Sequence, residues 1–263
     1  MTTNLTRTLD ELVPTYTTEE IWKALDITRK RAFFTLIFGH TGRSKTLTAT
    51  HWAAKYNGYL VRCDTGDTRT GLLKNMAKAI TGEKGNDSAN RKERIIDTLL
   101  EKDNPTIIID EANHLLDAKS VKARKNSLDL VRDIFDMRET HGKPVGIAMI
   151  FTNYTCKELQ HGALSGFLEQ FIGRRGHHVN IPDKILPKSE VLPILKSYVP
   201  NPSDKLLKTA YEIAAGNNGK IRTLVSYLNL AKEYVSDHGG EINSAILEKL
   251  AERYESGGVW PTE

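Results

Sequence analysis

Two short segments constrain this chain more than anything else in it. An apolar run, Phe33 to Phe38, passes straight into Gly39-His40-Thr41-Gly42-Arg43-Ser44-Lys45-Thr46, and one ordinary α/β crossing later Ile107-Ile108-Ile109 ends in Asp110-Glu111. The first offers a tight turn whose backbone N–H groups and lysine can cradle phosphates at a helix N-terminus. The second ends a buried strand in two carboxylates. Taken singly, each has an ordinary reading: a glycine-containing turn before a helix, or a strand closing in a solvated acidic turn. Their order and spacing together read as a nucleoside triphosphate site.

A phosphate loop needs small residues where the backbone wraps the anion, a lysine that reaches the terminal phosphates and a hydroxyl for Mg²⁺. Gly39, Gly42, Lys45 and Thr46 supply these, with His40, Thr41, Arg43 and Ser44 completing the turn. Glycine usually precedes the lysine, because it allows close approach and left-handed backbone angles. Here that place is Ser44, which departs from the pattern without removing a charge. Asp110 is placed to hold Mg²⁺ through water, and Glu111 to polarise an attacking water. A third buried run, Ile147 to Thr152, delivers Asn153 to the same edge, where it either orients the water beside the γ-phosphate or simply caps the next helix. Phe171-Ile172-Gly173-Arg174-Arg175-Gly176 then sets two arginines just before a fifth strand. Such a position suits an arginine finger reaching a neighbouring subunit's nucleotide, and it equally describes a solvated basic turn.

Apolar runs alternate with helical patterns, which predicts a mainly parallel sheet with helices on both faces. Strands are expected over Phe33 to Phe38, Gly58 to Asp64, Thr106 to Asp110, Val145 to Phe151 and His178 to Ile181. Helices are expected over Lys45 to Lys55, Arg69 to Ile80, Asn90 to Glu101, Leu128 to His141 and Lys157 to Phe171. After Pro182 to Pro187 strand-like runs disappear. Leu186 to Tyr198, Ser203 to Ala215, Lys220 to Asp237 and Ile242 to Tyr254 read as a small helical domain, with Ser203 as an N-cap and Gly216 as a stop. The fold class is therefore α/β, a P-loop core with a five-stranded parallel sheet and a small C-terminal helical lid. The divisions are an N-terminal extension over 1–30, a nucleotide-binding core over 31–183, the lid over 184–256 and a tail over 257–263.

The 263 residues suffice for a substantial core of this kind. With 27% charged residues, no apolar run approaches the roughly 18 residues of a membrane span. The polar stretch Met1 to Val13 carries no export signal, so a cytoplasmic protein is expected. Two cysteines, Cys63 and Cys156, are too few for a disulfide framework and fall in no zinc spacing, leaving them as reduced packing residues. Trp22, Trp52 and Tyr56 sit at spacings that fill a core. The net charge of +4 permits a polyanionic partner without demanding one.

With these motifs the chain resembles the AAA+ ATPases, and within them the transposition regulators typified by phage Mu B protein and TnsC, over nearly all of residues 30 to 235. The resemblance implies that ATP drives assembly on duplex DNA as a helical filament or ring that recruits or stimulates a transposase. It assigns Lys45 and Thr46 to Walker A, Asp110 and Glu111 to Walker B and Asn153 to sensor 1. Arg174 or Arg175 becomes the intersubunit finger. For sensor 2 it points to Arg222 in Gly219-Lys220-Ile221-Arg222, with Lys220 in reserve.

A sequence-independent DNA binder needs Lys and Arg aimed at phosphates. Lys84, Arg91, Lys92 and Arg94 surround a polar loop entering a helix, and in the related proteins basic residues of this stretch face the DNA, so Arg91 and Lys92 lead. Lys119, Lys122, Arg124 and Lys125 form a second cluster, expected as a loop; any such charge run can also be merely a solvated face. The expected function is an ATP-dependent, largely sequence-nonspecific double-stranded-DNA-binding regulator that oligomerises on DNA, directs a transposase to target sites and disassembles on hydrolysis. A helicase loader or replication initiator resembling DnaC and IstB, gripping chiefly a partner protein, is the alternative; a monomeric small-molecule kinase is a third.

Overall fold

The computed structural model describes residues 12–83, 90–117, 120–153, 155, 159, 165–166, 169, 176–216 and 220–255. These fall into two compact units. An α/β unit takes in the described parts of Glu20–Gly39 and Lys45–Ile181, and a helical unit those of Met1–Glu19, His40–Ser44 and Pro182–Glu263.

The α/β unit is built on five parallel strands, β1 (Phe34–Phe38), β2 (Tyr59–Arg62), β3 (Thr106–Asp110), β4 (Gly146–Phe151) and β5 (Gly176–Asn180), in the order β2-β3-β4-β1-β5. The period-2 alternation of strand side chains sorts them into two apolar clusters. Phe34, Leu36, Ile107, Ile109, Ile147 and Met149 join one cluster, with Leu72, Met76 and Ile80 of α3 (Arg69–Thr81), Ile95 and Leu99 of α4 (Arg91–Leu100), and Val131 and Ile134 of α5 (Val121–Thr140). Ile37, Ile108, Ala148 and Ile150 join the other, with Trp52 of α2 (Lys45–Tyr56) and Ile21, Ala24 and Leu25 of α1 (Tyr16–Arg31). Both faces are covered, which is why β1, β3 and β4 are buried along their whole length.

Two elements depart from the sequence expectation. The first is α1, whose span lies mostly in what reads as an unassigned extension. Its stripe of Ile21, Ala24, Leu25 and Thr28 has helical spacing, and burying Ile21 and Leu25 stabilises by about 2–3 kcal/mol apiece. The packing is close: a Cβ on Gly146 would lie 2.4 Å from the Thr28 carbonyl oxygen, so only glycine fits there. The second is α5, which begins at Val121, not Leu128. Ser120 caps it, its hydroxyl accepting from the Ala123 N–H at 3.1 Å, and Lys, Arg and Ala are good helix formers. Lys122, Arg124 and Lys125 therefore stand on the first turns of a helix and not in a loop.

The helical unit holds one π-helical turn (Pro187–Val191) followed by α6 (Leu192–Lys196), α7 (Asp204–Gly216), α8 (Ile221–His238) and α9 (Ser244–Glu255). Its core is separate, gathered from Val191, Leu195, Leu206, Leu224, Leu228 and Leu247 among others. Ser203 caps α7 as the sequence suggests, accepting from the Leu206 N–H at 3.2 Å. Among the described residues no helix is long and apolar enough to cross a membrane.

Candidate functional site

The register of the sheet sets the site. Phe38 of β1 lies opposite Phe151 of β4, and Ile109 of β3 opposite Met149, with β4 between the other two. The strands are parallel and end within about one residue of each other, so Gly39, Asp110-Glu111 and Asn153 all leave the same carboxyl edge, the edge at which open α/β sheets bind ligands. Gly39 continues the ladder, its N–H donating to the Phe151 carbonyl at 3.3 Å. A Cβ there would meet Ile181 at 3.1 Å and the Lys45 side chain at 3.3 Å. Lys45, at the start of α2, donates from Nζ to the Gly39 carbonyl at 2.7 Å, which holds the ammonium against the loop's first residue.

Backbone angles through the loop are those expected where a chain wraps an anion. Gly42 has φ +79° and Ser44 has φ +57°. Ser44 thus occupies the left-handed region at the position where glycine is usual, and the fold imposes that conformation although the residue carries a Cβ. Glu111 repeats the device at φ +53°, opening the short 3₁₀ turn Ala112–Leu116. Strained backbone of this sort persists where surrounding structure over-determines it.

Asp110 is 1% exposed, and its carboxyl accepts a hydrogen bond from the Thr46 hydroxyl. Burial pushes its pKa up, the Glu111 charge adds to this, and the Thr46 hydrogen bond and the Lys45 charge oppose it. Oδ2 has no hydrogen-bond partner in the protein. A buried carboxylate with one oxygen tied to a hydroxyl and the other orphaned is costly unless a cation compensates it, so Thr46 and Asp110 fit Mg²⁺ as first ligands or through its waters. Cys63 follows β2, its N–H donating to the Asp110 carbonyl at 3.0 Å. Burial and the carboxylates Asp67, Asp110, Asp64 and Glu111 push the thiol far up, leaving it a neutral packing group. Asn153 follows β4 half-buried. Asn113, 5% exposed with Oδ1 unpartnered, was not singled out in the sequence; its only signal there is an amide directly downstream of the acidic pair.

In the helical unit, His40 and Thr41 line a cleft of about 680 Å³ with Ile185, Tyr211, Ala215 and Lys220. His40 Nε2 lies 3.2 Å from Asp183 on its exposed rim. The Arg222 N–H donates to the Gly42 carbonyl at 3.4 Å while its side chain is exposed, and Lys220 would contact a Cβ on Gly42 at 3.3 Å. Both lid cations named from the sequence therefore adjoin the loop. Arg43 is different: its guanidinium is 1% exposed and ion-paired with Glu190 at 2.7 Å. Arg43 was named as part of the turn, and its side chain is committed inside the unit.

The basic clusters also divide. Arg91, expected to face a polyanion, is 5% exposed and paired with Glu83 at 2.8 Å, and the Arg91 hydrogen bond holds the Glu83 carboxyl below the usual range. Its charge is consumed by the fold, which corrects the expectation for that residue. Lys92 pairs with Asp133 at 2.9 Å and Arg94 with Glu83 at 2.9 Å. Lys122 and Lys125 are exposed on α5. Lys84, Lys119, Arg174, Arg175, Gly219 and Cys156 lie outside the described residues, as does most of Lys157 to Phe171.

Residues 28–159, half of the chain, match the AAA domain family. No curated protein matches the chain. Among solved structures, it is similar to the Aeropyrum pernix ORC2 protein in its ADP form at 14% identity, covering 92% of this chain and 70% of that one with a TM-score of 0.60. It is similar to the Thermotoga maritima RuvB Holliday junction branch migration motor at 15% identity, 90% and 67% coverage and TM-score 0.53. The Walker-type ATPase PABY2304 of Pyrococcus abyssi is a third, at 16% identity, 91% and 72% coverage and TM-score 0.54. At these identities the likeness is one of fold.

Proposed function

The chain belongs to the AAA domain family, and from that premise we propose that it is an ATPase whose nucleotide state governs assembly on double-stranded DNA, with a transposase as the recipient of the signal. The observation that carries the nucleotide part is the buried Asp110 carboxylate, tied to the Thr46 hydroxyl on one side and orphaned at Oδ2, one strand away from a loop held by Lys45.

In this reading the backbone N–H groups of residues 39–46 and the Lys45 ammonium bind the phosphates, and Thr46 and Asp110 hold the metal. Bound Mg²⁺ neutralises charge on the terminal phosphates. Glu111, half-exposed on its strained turn, accepts a proton from the attacking water, and Asn153 orients that water. Arg222 or Lys220, which adjoin Gly42, contributes a positive charge to the loop. Arg174 and Arg175 complete a neighbour's site.

The DNA part rests on exposed cations: Lys122 and Lys125 stand on the first turns of α5, downstream of the acidic pair, with Lys84 and Lys119 as further candidates. Repetition of such weak contacts along an assembly adds through avidity. The solved structures named above include a Holliday junction branch migration motor, a protein acting on DNA. Electron microscopy of the protein with duplex DNA, with and without a non-hydrolysable ATP analogue, tests the reading. Nucleotide-dependent rings or filaments are the expected result; monomers under both conditions refute it.

A further inference from the structure

Within the helical unit a buried ion pair belongs to the phosphate loop itself. Arg43 and Glu190 are each 1% exposed. Arg43 Nη2 donates to Oε1 of Glu190 at 2.7 Å and Oε2 at 2.9 Å, and Nη1 donates to the Asp183 carbonyl at 3.2 Å. The Thr17 hydroxyl accepts from Nη2 at 3.2 Å and donates to Oε1 of Glu190. Oε2 of Glu190 also accepts the Leu186 N–H at 3.0 Å. A guanidinium and a carboxylate stripped of water survive in a fold only where such partners repay their desolvation, and removing one alone leaves an uncompensated buried charge.

The place of this pair in the chain gives it a further role. Arg43 lies between Gly42 and Ser44, both at positive φ, so its side chain anchors the most strained part of the loop. Its partner sits on a π-helical turn, a geometry often found at functional sites. We propose that Arg43 and Glu190 are positioning residues for the nucleotide: their buried bond holds the loop's N–H groups in the phosphate-cradling conformation and couples occupancy of the loop to the pair itself. The proposal rests on the ATP reading above. By linkage the coupling is reciprocal, so nucleotide stabilises the Arg43–Glu190 bond by as much as that bond stabilises the occupied loop.

The test is a fluorescence titration with mant-ATP and Mg²⁺ at a temperature at which circular dichroism shows every variant folded. Glu190→Gln keeps the shape and removes the charge; it should bind roughly tenfold more weakly, with the loss appearing in KM for ATP and not in kcat. Leu247→Ala, in the buried core on α9, lowers the melting temperature of the same unit without touching the pair, and its affinity should stay within about twofold of wild type. If Glu190→Gln does not fold, Thr17→Val decides, with an expected loss of about threefold from the missing hydroxyl bridge. Wild-type affinity in Glu190→Gln (or, where that variant does not fold, in Thr17→Val), or an equal loss in Leu247→Ala, overturns the proposal while leaving the ATP reading intact. A wild-type protein that does not bind mant-ATP overturns both.

Discussion

Replacing Ser44 by glycine and, separately, by alanine isolates the backbone strain in the phosphate loop. At ordinary positions alanine is the more stable of the two by about 0.5–1 kcal/mol, because glycine loses more chain entropy on folding. At φ +57° the Cβ of alanine clashes with the following carbonyl, at a cost of roughly 1–2 kcal/mol that glycine does not incur. The difference of these terms leaves glycine ahead by about 0.5–1 kcal/mol, or about 1–4 °C in melting temperature for a chain of this size. Both variants lack the hydroxyl, so whatever Ser44 bonds through it cancels from the comparison. Thermal unfolding without nucleotide reads the order directly. Alanine equal to or more stable than glycine would falsify the left-handed assignment, and with it the idea that the fold imposes a glycine conformation on this serine.

Asp110→Asn should raise the melting temperature of the protein in chelator by a few degrees while abolishing the Mg²⁺-dependent part of ATP binding. The sign follows from the raised pKa: the folded state holds its proton more tightly than the unfolded one, so the carboxylate costs stability once pH exceeds the unfolded value, and that cost is relieved as pH falls through the folded pKa. A variant less stable than wild type in chelator would contradict it. Glu111→Gln should retain mant-ATP binding and lose about 10²–10⁴-fold in hydrolysis, measured as phosphate release, whereas Lys45→Ala should lose binding itself. The Lys122→Ala, Lys125→Ala double variant should reduce the slope of log affinity for duplex DNA against log salt by about two. Arg91→Ala should instead leave that slope unchanged and lower the melting temperature, since it removes a buried side chain and leaves Glu83 to Arg94 alone.

The core and the motifs were legible in the chain to different depths. β3 was readable to the residue, because Thr106 to Ile109 is an unbroken β-branched run bounded by Pro105 and the acidic Asp110-Glu111. α1 was not assigned although its stripe of Ile21, Ala24 and Leu25 is regular, since nothing in a lone amphipathic segment says that it covers the sheet face beside Trp52. The early start of α5 was hidden by its charge: Lys122, Arg124 and Lys125 read as a loop until Ser120 is recognised as a cap.

Local pattern alone was enough for the strand–loop–helix at Phe34–Phe38 and Lys45–Tyr56 and for the carboxylates that end β3, because alternation, turn residues and strand ends are short-range properties of covalent geometry. Which cations stay free was decided only in three dimensions. Arg43 and Arg91 carry the same charge in sequence as Lys122, yet each is buried against a carboxylate, Arg43 against Glu190 from far along the chain and Arg91 against Glu83. Desolvation and pairing depend on which distant segments pack together. Lys45, Ser44 and Asp110 stand where the sequence expects a phosphate site; that Arg43 turns away to pair with Glu190 is a consequence of tertiary packing.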